Sequence, residues 1–296
     1  REPRVAHAVR LEPPEFAQQL LRTFIEHARQ HHAHLGHEIA APAAAVGQAP
    51  WLSIVVATWN AARTLERCFA SIAAQTEQDL ELLVADGGST YGTVAILHRH
   101  SAQIAWWKSR RDGGIYDAWN QALAHARGRY ICFLGADDAW ASPMSVAALR
   151  AAVCGIDYDL VSSRGRVLDP GTGSESVFGE AWDYGRLGRR MVVCHPGLLH
   201  RRELFEHFGA FDTRYRIAGD LEFLLRLPRS VRTLHVDTVS VDIEGAGVSR
   251  RNVMKRLREQ RLVLSRSPRH GAVRAWLAWL DKLWRYPLAR LLGLPH

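Results

Sequence analysis

From Trp51 onward, short apolar runs alternate with amphipathic stretches. Runs at 52–57, 80–85, 104–106 and 130–134 read as strands, and the stretches at 61–74, 93–100 and 115–126 carry apolar residues at helical spacing. Ser142-Pro143 places an N-cap and a first-turn proline ahead of a further helix. This alternation predicts an α/β fold, a mostly parallel sheet flanked by helices. Past Val153 the pattern is less regular, with strands expected at 159–163 and 191–193 and helices at 202–208 and 219–227. Two basic helical segments, 249–265 and 272–286, follow as a helical C-terminal appendage. Residues 1–50 are rich in histidine, alanine and proline and carry no strand signal, although 16–28 fits a short helix. The chain therefore divides into an extension or linker (1–50), a main domain (51–245) and a basic amphipathic tail (246–296). The absence of an initiating Met suggests a processed or excised chain with an upstream domain.

Composition narrows the class. With 296 residues, 47% hydrophobic and 23% charged, the chain can bury the core of one large domain. No stretch reaches the roughly 18 consecutive apolar residues of a membrane span, and the start lacks the charged-then-apolar order of a signal peptide. Cys68, Cys132, Cys154 and Cys194 are too widely spaced for a zinc or redox pair, so buried free thiols in a reducing cytoplasm are expected. The net charge of +8 sits in the tail, where residues 246–296 hold 12 Lys or Arg against Glu259 and Asp281. Val273, Trp276, Leu277, Leu280, Leu283 and Trp284 fall on one helical face beside those cations. Such a helix suits an anionic membrane surface; packing back on the main domain accounts for the same stripe.

Two acidic constellations carry chemistry. Asp86-Gly87-Gly88-Ser89-Thr90-Tyr91-Gly92-Thr93 follows a strand and precedes a helix, which puts a carboxylate at the carboxyl end of a parallel sheet, where open α/β sheets bind ligands. An ordinary tight turn has the same pattern. Gly135-Ala136-Asp137-Asp138 ends a buried strand in paired acids. Two adjacent carboxylates repel, so a divalent cation, Mg²⁺ or Mn²⁺, is one reason to hold them there, and a helix-capping pair is the other.

Four segments in order resemble the family 2 glycosyltransferases with the two-lobed nucleotide-binding fold: Val56-Ala57-Thr58-Trp59-Asn60, the Asp86 loop, Asp112 through Asn120, and Leu134 through Asp138. A fifth, His195 through Leu227, resembles the acceptor-side stretch of a bacterial surface-polysaccharide subgroup. The resemblance implies a nucleotide-sugar half (51–140) and an acceptor half (141–245). It places Thr58 and Asn60 beside the donor nucleotide, Asp86 on the base, usually uracil, and Asp112 and Asp117 beside the sugar diphosphate. Asp137 matches the last acid of the Asp-x-Asp metal signature, with Asp138 as a further ligand, and Asp220 in Gly219-Asp220-Leu221-Glu222 matches the catalytic base. An N-cap role for Asp220 fits the same residues. His195 and Glu222 are candidate acceptor contacts, though a structural histidine and a solvated glutamate fit equally. Two positions depart from the pattern: Gly135 replaces the first acid of the signature, and Tyr91 replaces the second acid of the Asp86 loop.

The activity implied is inverting, non-processive transfer of one sugar from a uridine diphosphate donor to an acceptor hydroxyl of a glycan or lipid-linked acceptor, with a divalent metal. A peripheral protein on the cytoplasmic face of the plasma membrane follows from the basic tail. A dinucleotide oxidoreductase would need Gly-x-Gly-x-x-Gly where this chain has Thr58-Trp59-Asn60-Ala61-Ala62. Gln260-Arg261-Leu262-Val263-Leu264 does not match the Gln-x-x-Arg-Trp motif of processive synthases. An inactive sugar-nucleotide-binding scaffold is the alternative that Gly135 and Tyr91 raise. The basic tail raises nucleic-acid binding, but its residues form no known nucleic-acid module, so no nucleic-acid partner is expected.

Overall fold

The computed structural model describes residues 37–40, 49–90, 92–169, 171–244, 252–267, 276 and 279–280. The helix expected at 16–28, most of that at 272–286, and Tyr91 lie outside the described residues. The chain divides into two compact units, Arg1–His37 and Glu38–His296, and the second carries the site.

Four parallel strands form the centre: β2 (Leu52–Thr58), β3 (Leu80–Asp86), β4 (Trp106–Ser109) and β5 (Tyr130–Gly135). Their spatial order is β4-β3-β2-β5, so the direction of winding reverses between β2 and β5. That reversal opens a crevice at the carboxyl ends of these strands. Period-two alternation sorts the side chains onto two faces. Val55, Leu83, Ile131 and Phe133 join one core, and Ile54, Val56, Leu82, Val84, Cys132 and Leu134 join the other.

Helices cover both faces. α1 (Leu65–Ala73) buries Leu65, Cys68, Phe69 and Ile72, the spacing of a single apolar stripe. α2 (Thr93–Arg99) and α4 (Ser145–Val153) line the same face, as their buried Ile96, Leu97, Val146 and Leu149 show. α3 (Ile115–Leu123) buries Tyr116, Ala118, Trp119 and Ala122 against the other.

The second half continues the sheet with mixed direction. β9 (Leu199–Arg201) runs antiparallel to both β5 and β7 (Leu160–Leu168), and β10 (Thr233–Glu244) runs parallel to β7. β6 (Ala139–Trp140) and β8 (Glu175–Phe178) add short antiparallel pairings, and β1 (His37–Ala40) lies beside β4. The helices here are α5 (Tyr184–Leu187), α6 (Arg202–Phe208), α7 (Gly219–Arg226) and α8 (Val253–Arg266).

Several expectations are corrected. Residues 191–193 form no strand: Val192 and Val193 are buried in irregular chain, so their apolar run reflects core burial and not a ladder. β4 starts at Trp106, because a 3-10 turn occupies Ser101–Gln103. β1 falls inside the segment read as having no strand. β10 was not expected either, although Thr-Leu-His-Val-Asp-Thr-Val-Ser-Val-Asp-Ile-Glu alternates plainly. Cys68, Cys132 and Cys194 are buried thiols as expected, but Cys154 is exposed at the end of α4.

α8 is more than an appended basic helix. Its Leu257, Val263 and Leu264 are buried, and the last two belong to the same core as Phe133 and Phe223. Leu264→Ala should therefore lower the free energy of unfolding by about 2–5 kcal/mol in urea titration, the range for a core leucine. A helix merely resting on the surface would lose within about 0.5 kcal/mol.

Candidate active site

The carboxyl ends of the central strands deliver the polar residues. Thr58 and Asp86 close β2 and β3 as register partners, and Ser109 closes β4 opposite Asp86. Asp86 is buried, with one oxygen accepting from the Ser89 amide (2.8 Å) and the Ser109 hydroxyl (2.6 Å) and the other from the Ser89 hydroxyl. Three of its acceptor sites thus shape its own loop, and little capacity remains for a ligand. Asn60, in the left-handed region at φ 50°, accepts from the Thr90 amide at 2.9 Å, while its own amide donates to Ser89 at 2.7 Å. Asn60 thereby clamps the end of β2 to the Asp86 loop. Between them Trp59 stands 71% exposed.

The loop from Asp112 to Asp117 closes on itself. Asp112 accepts the Gly114 amide and Asp117 accepts the Gly113 amide, each at 2.7 Å. Burial raises the Asp112 pKa, and the Asp117 and Asp86 charges add to the rise. Gly114 has φ 110°, and a Cβ there would lie 2.6 Å from Nη1 of Arg216, so the Arg216 guanidinium crosses this turn.

The same loop reaches the candidate base. The Tyr116 hydroxyl lies 2.8 Å from the Ile217 carbonyl and 3.1 Å from Oδ1 of Asp220, sharing its one proton between them. A Cβ on Gly219 would sit 2.8 Å from the Tyr116 ring, so only glycine lets the ring lie against α7. Asn120 completes the joint, donating to the Phe211 carbonyl at 2.8 Å and accepting its amide at 3.0 Å. Asp220 is half-buried, and that burial lifts its pKa to about 6, against hydrogen bonds from Leu221 and Tyr116 that pull it down. A carboxylate so tuned takes a proton near neutral pH more readily than an exposed one.

Asp137 and Asp138 converge above Gly135. A Cβ on Gly135 would lie 2.6 Å from Oδ1 of Asp137 and 3.0 Å from Oδ2 of Asp138, so the glycine provides the space into which both carboxylates fold. Asp138 is buried and accepts the Gly135 amide at 2.8 Å; burial first, then Asp137, push its pKa to about 8. Among the described residues no group of three or more His, Cys, Asp or Glu gathers to hold a metal. Two crowded carboxylates fit an ion that completes its shell with substrate phosphates and water, as Mg²⁺ does, better than a resident cation. Of the two, Asp137 is the more exposed carboxylate.

The two candidate acceptor contacts fall elsewhere. His195 is buried in an aromatic core, 5.5 Å from the Trp119 ring and 6.0 Å from Phe133 by centroids, and burial lowers its pKa to about 3. It is a neutral core residue, a correction to its reading as an acceptor contact. Glu222, two residues beyond Asp220, faces another side of α7, pairs with Arg226 at 3.1 Å, and lines a 390 Å³ cavity with Asp212, Arg214 and Tyr215. Tyr116 and Arg216 were missed by sequence reasoning. Tyr116 lies inside the segment from Asp112 to Asn120, but nothing in the spacing marks Arg216.

Similarity to known proteins identifies the family. Residues 53–190 match the profile described as Glycosyl transferase family 2. A PGL/p-HBAD biosynthesis glycosyltransferase of Mycobacterium tuberculosis is 35% identical over 182 residues, covering 60% of this chain and 70% of the relative. S. aureus TarS 1-349, solved in complex with UDP-GlcNAc, superposes with a TM-score of 0.58 at 18% identity over 78% of this chain and 71% of that one. The mannosyltransferase PcManGT from Pyrobaculum calidifontis, in complex with GDP-Man and Mn²⁺, gives 0.57 at 19% identity, covering 94% and 88%. The chain belongs to glycosyl transferase family 2, and it shares the fold of TarS and PcManGT.

The Gly219–Tyr116 contact is testable by a double-mutant cycle. Gly219→Ala should cost about 1–3 kcal/mol of stability in the parent by overpacking. In a Tyr116→Ala background the same change should cost less than about half as much, because the clash is with that ring.

Proposed function

We propose that this glycosyltransferase is inverting and non-processive, and moves one sugar from a uridine diphosphate donor to a hydroxyl of a glycan or lipid-linked acceptor. The observation that carries the reading is the junction of Tyr116 with Asp220. Through it the loop expected beside the donor diphosphate touches a half-buried carboxylate whose pKa is about 6.

In this reading the acceptor hydroxyl gives its proton to Asp220 as its oxygen attacks the anomeric carbon. The bond from that carbon to the diphosphate oxygen breaks with its electron pair leaving on the diphosphate, and the configuration inverts. Tyr116 holds the Asp220 carboxylate in place, Asn60 and Asp86 fix the loops at the nucleotide end, and exposed Trp59 offers a face on which a base can stack. Asp137, with Asp138 behind it, would hold Mn²⁺ or Mg²⁺, which when bound neutralises charge on the departing diphosphate. UDP-GlcNAc in TarS and Mn²⁺ in PcManGT support a nucleotide donor and a divalent metal. The exposed Met254, Leu262, Trp276 and Leu280, near exposed Lys255 and Arg258, support docking of the C-terminal region on an anionic membrane surface.

A screen of sugar nucleotides scored by release of nucleoside diphosphate, with and without Mn²⁺, tests the reaction; no turnover with any donor would favour an inactive scaffold. Asp220→Asn should lower turnover by at least roughly 10²-fold while nucleotide binding persists. The parent's rate should fall as pH drops through about 6, because the base must be unprotonated to act. For the metal, calorimetry with uridine diphosphate should show affinity that rises with Mn²⁺ in the parent and does not rise in Asp137→Ala.

A further inference from the structure

We infer that Glu259, on α8, is a positioning residue for the base: it holds the main chain that carries Arg216 and Asp220 in register with the donor loop. This deepens the proposed function and rests on Asp220 being the base.

One oxygen of Glu259, Oε2, accepts three consecutive main-chain amides, from Arg216 at 3.0 Å, Ile217 at 2.7 Å and Ala218 at 3.0 Å. These amides run into the first turn of α7, where N–H groups have no partner within the helix and the dipole favours negative charge. Asp220 is the second residue of that helix. The Ile217 peptide is gripped from both sides, its amide by Glu259 and its carbonyl by the Tyr116 hydroxyl. Arg216, whose amide is the first of the three, sends its guanidinium across Gly114. A single carboxylate therefore fixes the approach of α7 to the loop at Asp112 to Asp117. The acceptor proton needs its receiver placed within a few tenths of an ångström, and a misplacement of about 1 Å can cost about 10²-fold in rate.

α8 supplies Glu259 from a firm base, since Leu257, Val263 and Leu264 are buried on either side of it in sequence. The charged and titratable groups that face Asp220 are Tyr116 from α3 and Glu259 from α8, and the charge of Glu259 contributes to the raised Asp220 pKa. Removing that charge alone should be visible in the pH dependence of the reaction.

The test compares Glu259→Ala and Glu259→Gln with the parent and with Asp220→Asn, using the full chain, with thermal melts and calorimetry on uridine diphosphate as folding controls. Glu259→Ala should lower kcat by about 10- to 100-fold, since the three amides lose their acceptor. In Glu259→Gln the amide oxygen still accepts, so kcat should stay within about threefold while the acidic limb of the rate profile moves to lower pH. A purely structural role would lower the melting temperature of Glu259→Ala but leave its kcat, read well below that temperature, within about threefold of the parent, and that result overturns the inference. If Glu259→Ala does not fold, Glu259→Asp, whose shorter side chain withdraws from the three amides, takes its place with the same kcat readout. Should Asp220→Asn retain the parent's rate, the base assignment itself falls. If Asp220→Asn is inactive but both Glu259 variants match the parent, only the positioning role is lost.

Discussion

The site depends on one hydroxyl. Tyr116 belongs to the helix that follows the donor-side loop, and its proton lies between the Ile217 carbonyl and the Asp220 carboxylate. It is the point at which the parallel half of the sheet meets the helix from the second half. Everything around it is arranged for that approach: Gly219 removes the side chain that would collide with the ring, and Asn120 pairs with Phe211 by two hydrogen bonds. Trp119 and Phe211 pack on the ring from the core side. A phenol serves here because its ring can be buried while its polar end reaches the site.

The arrangement is electrostatically uncomfortable. Asp112, Asp138 and Asp220 all have pKa values raised above the ordinary carboxylate range, and in each the first cause is burial. For Asp220 the sign is adverse at neutral pH: stability from its protonated form is complete below the unfolded value near 3.8 and is lost as pH rises through about 6. Buried carboxylates elsewhere are met by more donors. Glu81, for example, is met by the Ser53 hydroxyl and two nitrogens of Arg127. Raised carboxylates are candidates for a functional site, suited to ligands that bring cations or labile protons.

Much of the first half was legible because its elements are local. β2, β3 and β5 are continuous apolar runs, and α1 and α3 carry regular stripes, so their boundaries moved by only a few residues. The carboxyl-end position of Asp86 and Asp137 followed from that pattern. What the sequence could not reveal was which acids spend their oxygens on their own loops. Asp86 resembles a ligand-facing residue in a motif and also accepts three hydrogen bonds from Ser89 and Ser109, whereas His195 is enclosed by rings. Glu222 is a candidate acceptor contact by its place in the Asp220 motif, and its surroundings are set by the helix. Two residues along a helix turn a side chain by about 200°, which carries Glu222 toward Arg226 instead.

The C-terminal region shows why net charge alone misdescribes a segment. Its cations dominate the composition, and on that basis it reads as a tail whose partner lies outside the molecule. In α8 the inward residues are the uncommon ones: Leu257, Val263, Leu264 and the lone acid, Glu259. Charge counts weigh twelve basic residues in 246–296 against Glu259 and Asp281, yet Glu259 makes the contacts that reach the site. The exposed cations and apolar side chains remain on the outer side, where Arg261 lies 4.1 Å from the centroid of the Trp276 ring. One helix thus has an exposed outer surface and an inner surface that fixes main chain two residues before the candidate base.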